Sequence, residues 1–375
     1  MQWEWSDEEK MLRTAAEDFF RKKVPVNFLR EVRSDPNRYP DLIRELWQDM
    51  ANMGWSGILI PEAYGGLAFG FRGLGMIMEA AGHTLAPTPL LASVACAGSL
   101  IETIGLDSQK QEMLPALAEG RTLLTVAHEE GDRFGSKSCK ARATPEREGY
   151  KLQGEKTMVI DGTLVDGFLV LANLPTGDQA WFLVARRDDG LELKPFQLLD
   201  GRPACKLSLR DVRVPAQSRL GGEAADGTAQ DLLLDSASAC LSAEMFGAAR
   251  EAFQMTLAYL KQRVQFGVPI GSFQALQHRM AQMYSELELC QTVVQRALTA
   301  LDQRDPQRSA WASLAKAKTA EVFQHVAREA IQLHGGIGMT DEHPIGFFLK
   351  RARINTEWYG SPAFHRDRYA RLHGF

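Results

Sequence analysis

The sequence predicts a mostly α, α+β chain in three parts. These are a helical N-terminal region over residues 1–120, a compact β-domain (barrel or sandwich) over 121–225, and a helical bundle over 226–375. Two changes of hydrophobic period carry this reading. Apolar residues recur in threes and fours up to about residue 120 and again beyond 230. Between those points they fall in short alternating runs bounded by Gly, Pro and Asp, the pattern of closely spaced strands. At 375 residues and 45% hydrophobic, the chain has ample apolar material for such cores.

The N-terminal part opens on Ser6-Asp7-Glu8-Glu9, an N-cap followed by acids in the first turn. The amphipathic stretch behind it runs to Lys23 and stops at Pro25. A second helix is expected from Tyr39 to Met53, ended by Gly54. Pro61-Glu62-Ala63-Tyr64-Gly65-Gly66 reads as a turn, after which helices resume through Ile101.

In the middle part, Phe168 to Leu174 and Trp181 to Ala185 are short apolar runs. Leu207, Leu209, Val212 and Val214 show the alternation of a half-buried strand. Glu148-Gly149-Tyr150 followed by Lys151 to Gly154 resembles a turn and the far arm of a hairpin. Gly221-Gly222 closes the region.

Three helical seams follow. One runs Leu234, Ala237, Leu241, Met245, Ala248, Ala252, Met255, Tyr259. The second runs Met280, Met283, Leu287, Cys290, Val294, Ala297, Leu301, and the third Trp311, Ala315, Val322, Val326, Ala330, Leu333. Each spans six or more turns, which implies a bundle with long helix–helix contacts.

Charge and cysteine usage narrow the function classes. A net charge of -4 offers no electrostatic case for nucleic acid or an anionic membrane. No apolar run is expected to reach the ~18 residues that a membrane span needs. Met1-Gln2-Trp3-Glu4-Trp5 lacks the basic and apolar regions of a signal peptide. The five scattered cysteines have no CxxC spacing, which fits reduced thiols in the cytoplasm better than disulfides or a metal site.

Two motifs carry chemistry. Arg263-Val-Gln265-Phe266-Gly267-Val-Pro269-Ile270, continued by Phe273-Gln274, follows the first long helix. Its plain reading is a helix stop, with Gly267 and Pro269 as terminators and Arg263 favouring the macrodipole. A guanidinium there also offers a planar fork of donors to a phosphate. Gln332-Leu333-His334-Gly335-Gly336-Ile337-Gly338 ends the third seam; its plain reading is a glycine C-cap with His334 at the surface.

The two motifs, the continuation Met339-Thr340-Asp341-Glu342-His343-Pro344, and Pro61 to Gly66 together resemble the acyl-CoA dehydrogenase family over the whole chain. The resemblance implies a helical N-terminal domain, a central β-barrel or sandwich and a C-terminal four-helix bundle. It also implies FAD as cofactor, an acyl-CoA thioester as substrate, and electron-transfer flavoprotein as the acceptor. In that family FAD lies between subunits of a homo-oligomer or heteromer. Arg263, Gln265, Phe266, Gln274, Gln332, Gly335 and Gly336 would serve the adenosine and pyrophosphate end of a neighbour's FAD, with Phe266 shielding the adenine.

The sequence departs from the family where chemistry is done. The family's base, Glu in Tyr-Glu-Gly-Thr, has as its counterpart Tyr359 in Trp358-Tyr359-Gly360-Ser361. A phenol of pKa ~10 is neutral at pH 7, whereas a carboxylate near ~4.3 is ionised. Tyr359 is therefore a poor base. Glu357 lies two residues away and is expected to point elsewhere. The alternative base position on the first long helix is Ala237, followed by Ser238. Glu244, two turns on, reads as a solvated or capping acid.

The family's Thr-Glu-Pro loop corresponds to Ala127-His128-Glu129-Glu130-Gly131-Asp132-Arg133, with His128 in place of the flavin-contacting hydroxyl. Its Trp-Ile-Thr strand becomes Met158-Val159-Ile160. Met158 and Ile160 offer no side-chain hydrogen bond of the kind lost.

Residues acting on a neighbour's cofactor thus remain, and residues acting on the chain's own are gone. This pattern resembles the accessory subunit of a heteromeric α2β2 acyl-CoA dehydrogenase, a form associated with steroid side-chain thioesters. The competing readings are a self-sufficient homomeric flavoenzyme with an unusual base or altered chemistry (oxidase or monooxygenase), and a scaffold that binds neither flavin nor thioester.

Overall fold

The structure, a computed structural model, describes residues 5–35, 38–131, 134–135, 139–222 and 228–375. Asp132 and Arg133, the boundary expected near 225, and Met1 to Glu4 lie outside the described residues.

In chain order the N-terminal helices are α1 (Asp7–Lys23), α2 (Phe28–Ser34), α3 (Tyr39–Asn52), α4 (Phe71–Thr84), a π-helical stretch Leu90–Gly98 running into α5 (Ser99–Ile104), and α6 (Asp107–Ala118). The strands are β1 (Leu124–Ala127), β2 (Arg142–Glu146), β3 (Gly149–Ile160), β4 (Gly167–Asn173), β5 (Gln179–Ala185), β6 (Leu191–Gln197) and β7 (Pro203–Pro215). Then come α7 (Thr228–Gln262), the two-residue strands β8 (Val264–Gln265) and β9 (Val268–Pro269), α8 (Gln274–Asp302), α9 (Arg308–His334), α10 (Ile345–Glu357) and α11 (Pro362–Leu372). The architecture is the expected one: helices, a sheet, then a helical bundle.

Compactness divides the chain differently, into two units. One comprises Met1–Ser34, Phe71–Pro87 and Ser238–Phe375; the other comprises Asp35–Gly70 and Thr88–Ala237.

In the first unit, the Ser6 hydroxyl accepts the Glu9 N–H at 3.1 Å, and the Glu9 carboxylate accepts the Ser6 N–H at 2.8 Å. This reciprocal pair starts α1. Helices α4 and α7 cross at glycines. A Cβ on Gly247 would stand 2.0 Å from the Glu79 carbonyl oxygen, and one on Gly82 would stand 2.1 Å from that of Glu244. The backbones approach so closely that only Gly fits. The seam residues Met280 to Leu301 on α8, and those on α9 from Ala315, are buried, and α9 packs against α8, α10 and α11.

Residues 235–249 of α7 are buried on every side. The stretch Ala229–Gln262 averages a hydropathy of 1.2 over 18 residues, long and apolar enough to cross a membrane. The expectation that no segment reaches this length is corrected here. Asp235, Glu244 and three serines interrupt the apolar run without lowering its mean hydropathy below that of a span. The window is 89% buried within the fold, as in a core helix.

The second unit holds one seven-stranded sheet ordered β1-β4-β2-β3-β7-β6, with β5 along the other edge of β4. β1 and then β2 run parallel to β4, while the other pairings are antiparallel. No pairing among the described residues joins the ends of this path, so the sheet is an open half-barrel rather than a closed barrel. The change of phase between Leu209 and Val212 is a bulge. Leu209 pairs with Gly154 and Val212 with Leu152, and Asp211 between them has φ +57°.

Candidate functional site

Three groups of residues correspond to the motifs singled out in the sequence. The first projects from the end of α7. Val264-Gln265 pairs with Val268-Pro269, and the intervening Phe266 and Gly267 have φ values of +53° and +80°. Two consecutive left-handed residues are what a tight two-residue hairpin turn requires, and Gly267 meets the demand without strain. Residues 263–269 are all exposed, and Phe266 is 92% exposed. The Arg263 backbone is fixed by N–H donation to Tyr259 and by accepting from Ile270. Its guanidinium is directed to solvent and has no ion-pair partner among the described residues. Gln274 opens α8 just beyond, and Phe273 packs edge-on against Phe266 at 6.2 Å.

The glycine turn Gly335–Met339 ends α9 beside this arm. The Tyr259 ring stacks on His334 at 4.5 Å, which ties the last turn of α7 to the residue before Gly335. His334 is buried, not at the surface as its plain reading has it, because Tyr259 covers one side and His343 lies 4.5 Å away. The glycines differ in what holds them to be glycine. Gly335 has φ +64°, and a Cβ on Gly338 would stand 2.7 Å from the Ile331 carbonyl oxygen. Gly336 meets nothing within 4 Å, so nothing within this chain requires glycine there. Gln332, Gly335, Gly336 and Met339 are exposed.

The second group is the loop after α10. Tyr359 is buried, with φ +52°, a left-handed conformation costly for a bulky residue. The loop is held from beneath. Lys316, wholly buried, donates to the carbonyls of Thr356 at 3.1 Å and Gly360 at 2.9 Å. His365 Nε2 donates to the Tyr359 carbonyl at 2.7 Å. Burial pushes the Lys316 ammonium down to about 7, with Glu357 opposing, and pushes His365 down to about 3. Lys316 and His365 escaped the sequence reading because each sits on a helix face that resembles ordinary core. Glu357 turns to solvent and pairs with Arg353 at 3.4 Å.

On α7, Ala237 and Ser238 are buried. Glu244 corrects its sequence reading. It is only 5% exposed and takes the Arg351 guanidinium at 2.8 Å and the Asn355 amide at 3.0 Å. Arg351 also donates to the Leu85 carbonyl at 2.8 Å. Glu244 is committed to a buried ion pair, since a lone buried carboxylate would be far too costly.

The third group lies on the sheet. Thr157 donates its N–H to the Glu129 carbonyl at 2.9 Å and its hydroxyl to that of Gly131 at 3.1 Å. The Thr125 hydroxyl donates to Ile160 at 2.9 Å. Thus the His128–Gly131 loop lies along Lys156–Ile160. At the register shift in β3, Met158 adopts φ +49°. Burial, with a smaller effect of Lys156, lowers His128 to about 4, so its ring is neutral at pH 7. Burial raises Glu129 to about 7, a shift that no residue pattern in the sequence signals. Neither Met158 nor Ile160 supplies a side-chain donor here.

The chemistry of these groups differs. The Arg263 arm and glycine turn present a free guanidinium, aromatic surface and unobstructed backbone, a set that fits a dinucleotide's phosphates and base. The sheet presents an apolar shelf, and the loop of Tyr359 presents a neutral phenol. Among the described residues, no cluster of His, Cys, Asp and Glu is suited to a metal ion.

Comparison with known proteins bears on the family and the fold. The model of the acyl-CoA dehydrogenase N-terminal domain matches residues 6–121, and that of the acyl-CoA dehydrogenase C-terminal domain matches residues 228–372. The acyl-CoA dehydrogenase FadE12 of Mycobacterium tuberculosis is 30% identical over 368 residues, covering 93% of this chain and 91% of the relative. Acyl-CoA dehydrogenase IpdE2 of Mycolicibacterium smegmatis is 30% identical over 368 residues, covering 98% of each. Among solved structures, the ChsE4-ChsE5 complex from Mycobacterium tuberculosis superposes with a TM-score of 0.90 at 27% identity, covering 100% of both chains.

Proposed function

This chain belongs to the acyl-CoA dehydrogenase family, and we propose that within it the chain serves as the partner subunit of a heteromeric, FAD-dependent enzyme that introduces an α,β double bond into an acyl-CoA thioester. One observation carries the proposal. Residues 263–269 and the Gly335–Gly336 turn stand exposed, while on the family reading Tyr359 takes the place of the general base.

Bound FAD supplies the hydride acceptor. Arg263 would hold its pyrophosphate, Phe266 would cover the adenine, and the backbone at Gly335 and Gly336 would approach the adenosine. Gln265, Gln274 and Gln332 would add amide contacts. All these residues act on a cofactor whose flavin ring is held by the other chain. The ChsE4-ChsE5 structure, a complex of two named chains, supports a pairing of this kind. The reading further assigns electron-transfer flavoprotein as acceptor and the cytoplasm as location. The three-part division at 120 and 225 is part of the same family reading.

The test is co-expression with a paralogue that bears the catalytic Glu. The chain alone is expected to hold little FAD and to show no dehydrogenation, and both appear in the co-purified complex. Arg263→Ala should strip FAD from that complex. Loss of two charge-assisted hydrogen bonds of about 1.5–3 kcal/mol each corresponds to at least about a hundredfold weaker retention. Unchanged FAD content would remove Arg263 from the site. One FAD per subunit with robust turnover by the single chain would instead support the homomeric reading.

A further inference from the structure

Cys139 stands apart from the other cysteines. Cys96, Cys205, Cys240 and Cys290 are buried, whereas Cys139 is half-exposed, three residues before β2. Its sulfur donates to Glu130 Oε1 at 3.3 Å, and Lys156 Nζ lies 3.6 Å from the same sulfur. Lys156 is wholly buried and donates to that same carboxylate oxygen, so thiol and amine converge on one acceptor. Glu130 is fixed in turn by the backbone N–H groups of Lys140 at 2.5 Å and Ala141 at 3.1 Å. Thiol, amine and carboxylate thus form one cluster of mutual contacts.

We propose that Cys139 and Lys156 form a redox-modification site, in which peroxide converts the pair into a covalent sulfur–nitrogen link. In the first step the thiolate of Cys139 attacks one peroxide oxygen. The O–O bond breaks, sulfur is oxidised by two electrons to the sulfenic acid, and the peroxide is reduced to water. In the second step the neutral Lys156 amine attacks that sulfur. The S–N bond forms, the S–O bond breaks, and the hydroxyl leaves as water with the proton from nitrogen. The sum consumes one thiol, one amine and one hydrogen peroxide, and gives one sulfenamide and two waters. The thiol and ammonium protons leave to hydroxide in solution, while the Glu130 carboxylate holds both groups in place as their hydrogen-bond acceptor.

Burial raises the Cys139 thiol above its ordinary value, with Lys156 opposing that shift and Glu130 adding to it. The reaction is accordingly slow at neutral pH and accelerates as pH rises, because the thiolate is the nucleophile. The link removes the cation from beside Glu130 and staples the segment at Cys139 to β3, two residues before Met158.

The experiment treats the full-length chain with hydrogen peroxide and maps tryptic peptides by mass spectrometry. A cross-link joining the Cys139 and Lys156 peptides is expected, lighter by two hydrogens than their sum and reversed by dithiothreitol. Cys139→Ser, which conserves size and a hydrogen-bond donor, should abolish it without altering the unfolding midpoint. Lys156→Arg should leave Cys139 to proceed to sulfinic acid. Cys139 reaching sulfinic or sulfonic acid in the native chain with an unmodified Lys156 would overturn the proposal, as would a Cys139 that survives peroxide unchanged.

Discussion

The Lys316 ammonium nitrogen lies 2.9 Å from the carbonyl oxygen of Gly360, reaching from α9 under the loop that carries Tyr359. A second bond, to Thr356, makes Lys316 the buried tie between the start and end of that loop. These bonds hold the backbone on both sides of the left-handed Tyr359.

Lys316→Met should leave two buried carbonyls without a donor, at about 1–3 kcal/mol each. The pH dependence identifies the cause. Lys316 has a folded pKa of about 7 against an ordinary 10.5, so between these values the unfolded chain holds a proton that the folded chain has released. Stability from this group therefore rises with pH across that window and is lowest below pH 7. Urea unfolding at pH 7 and pH 9 should show this gain in the native chain and not in Lys316→Met. Equal gains in both would contradict it.

Glycines separate packing from binding. Gly247→Ala drives a Cβ into the Glu79 carbonyl, where both partners are backbone and neither can yield. The variant should lose several kcal/mol or fail to fold, by overpacking. Gly336→Ala meets no atom within 4 Å. Its unfolding midpoint should stay within about 0.5 kcal/mol of the native chain, as for an unconstrained surface site, while FAD retention in the heteromeric complex falls. A Gly336→Ala complex with full FAD would show that no cofactor backbone approach occurs there.

Acid should destabilise the chain through histidines that are kept neutral. Burial lowers His83 and His128 to about 4 and His365 to about 3. Each binds a proton in the unfolded chain near 6.5 but not in the folded one, so stability falls as pH drops from about 6.5 toward 4. Glu129, raised to about 7, works the other way between 7 and 4.5, as do Glu79, Glu251 and Asp302, which burial also raises. His83 has no partner on either ring nitrogen and borders a cavity of about 170 Å³ lined also by Glu17, Arg21, Arg250, Glu251 and Gln254. His83→Gln should flatten the acid limb of a stability–pH curve. An unchanged limb would place the sensitivity elsewhere.

What was legible in the sequence was local. The Ser6 N-cap with its first-turn acids, the alternation over Leu207 to Val214 and the three helical seams are each written within a few residues; the reciprocal Ser6–Glu9 bonds and the bulge at Asp211 are not. The Arg263 and Gly335 motifs were legible because their residue types and spacing are specific. What was not legible depends on distant partners. Glu244 looks like a surface acid until Arg351, 107 positions away, meets it. The short α2 carries too few residues to show a period. The half-barrel's openness is decided by which strand edges meet, which alternation within one strand does not encode.

The last prediction concerns restoration of the base. Tyr359→Glu places a carboxylate on a loop whose backbone is already shaped by Lys316 and His365, so the substitution should be tolerated. A carboxyl buried there is raised above its ordinary value but still ionises far more readily than a phenol of pKa ~10. Dehydrogenation, however, needs that base and a flavin held in register with the thioester at once. Met158, with φ +49°, and Ile160 provide an apolar shelf with no side-chain donor for the ring. We therefore expect the Tyr359→Glu chain, purified alone and supplied with FAD, to bind little flavin and to give no measurable reduction of an artificial electron acceptor by acyl-CoA thioesters. Adding Met158→Trp and Ile160→Thr to the same chain should raise FAD content first and turnover second. Robust turnover by Tyr359→Glu alone would show that the shelf was never deficient, and would return the chain to the self-sufficient reading with a single missing carboxylate.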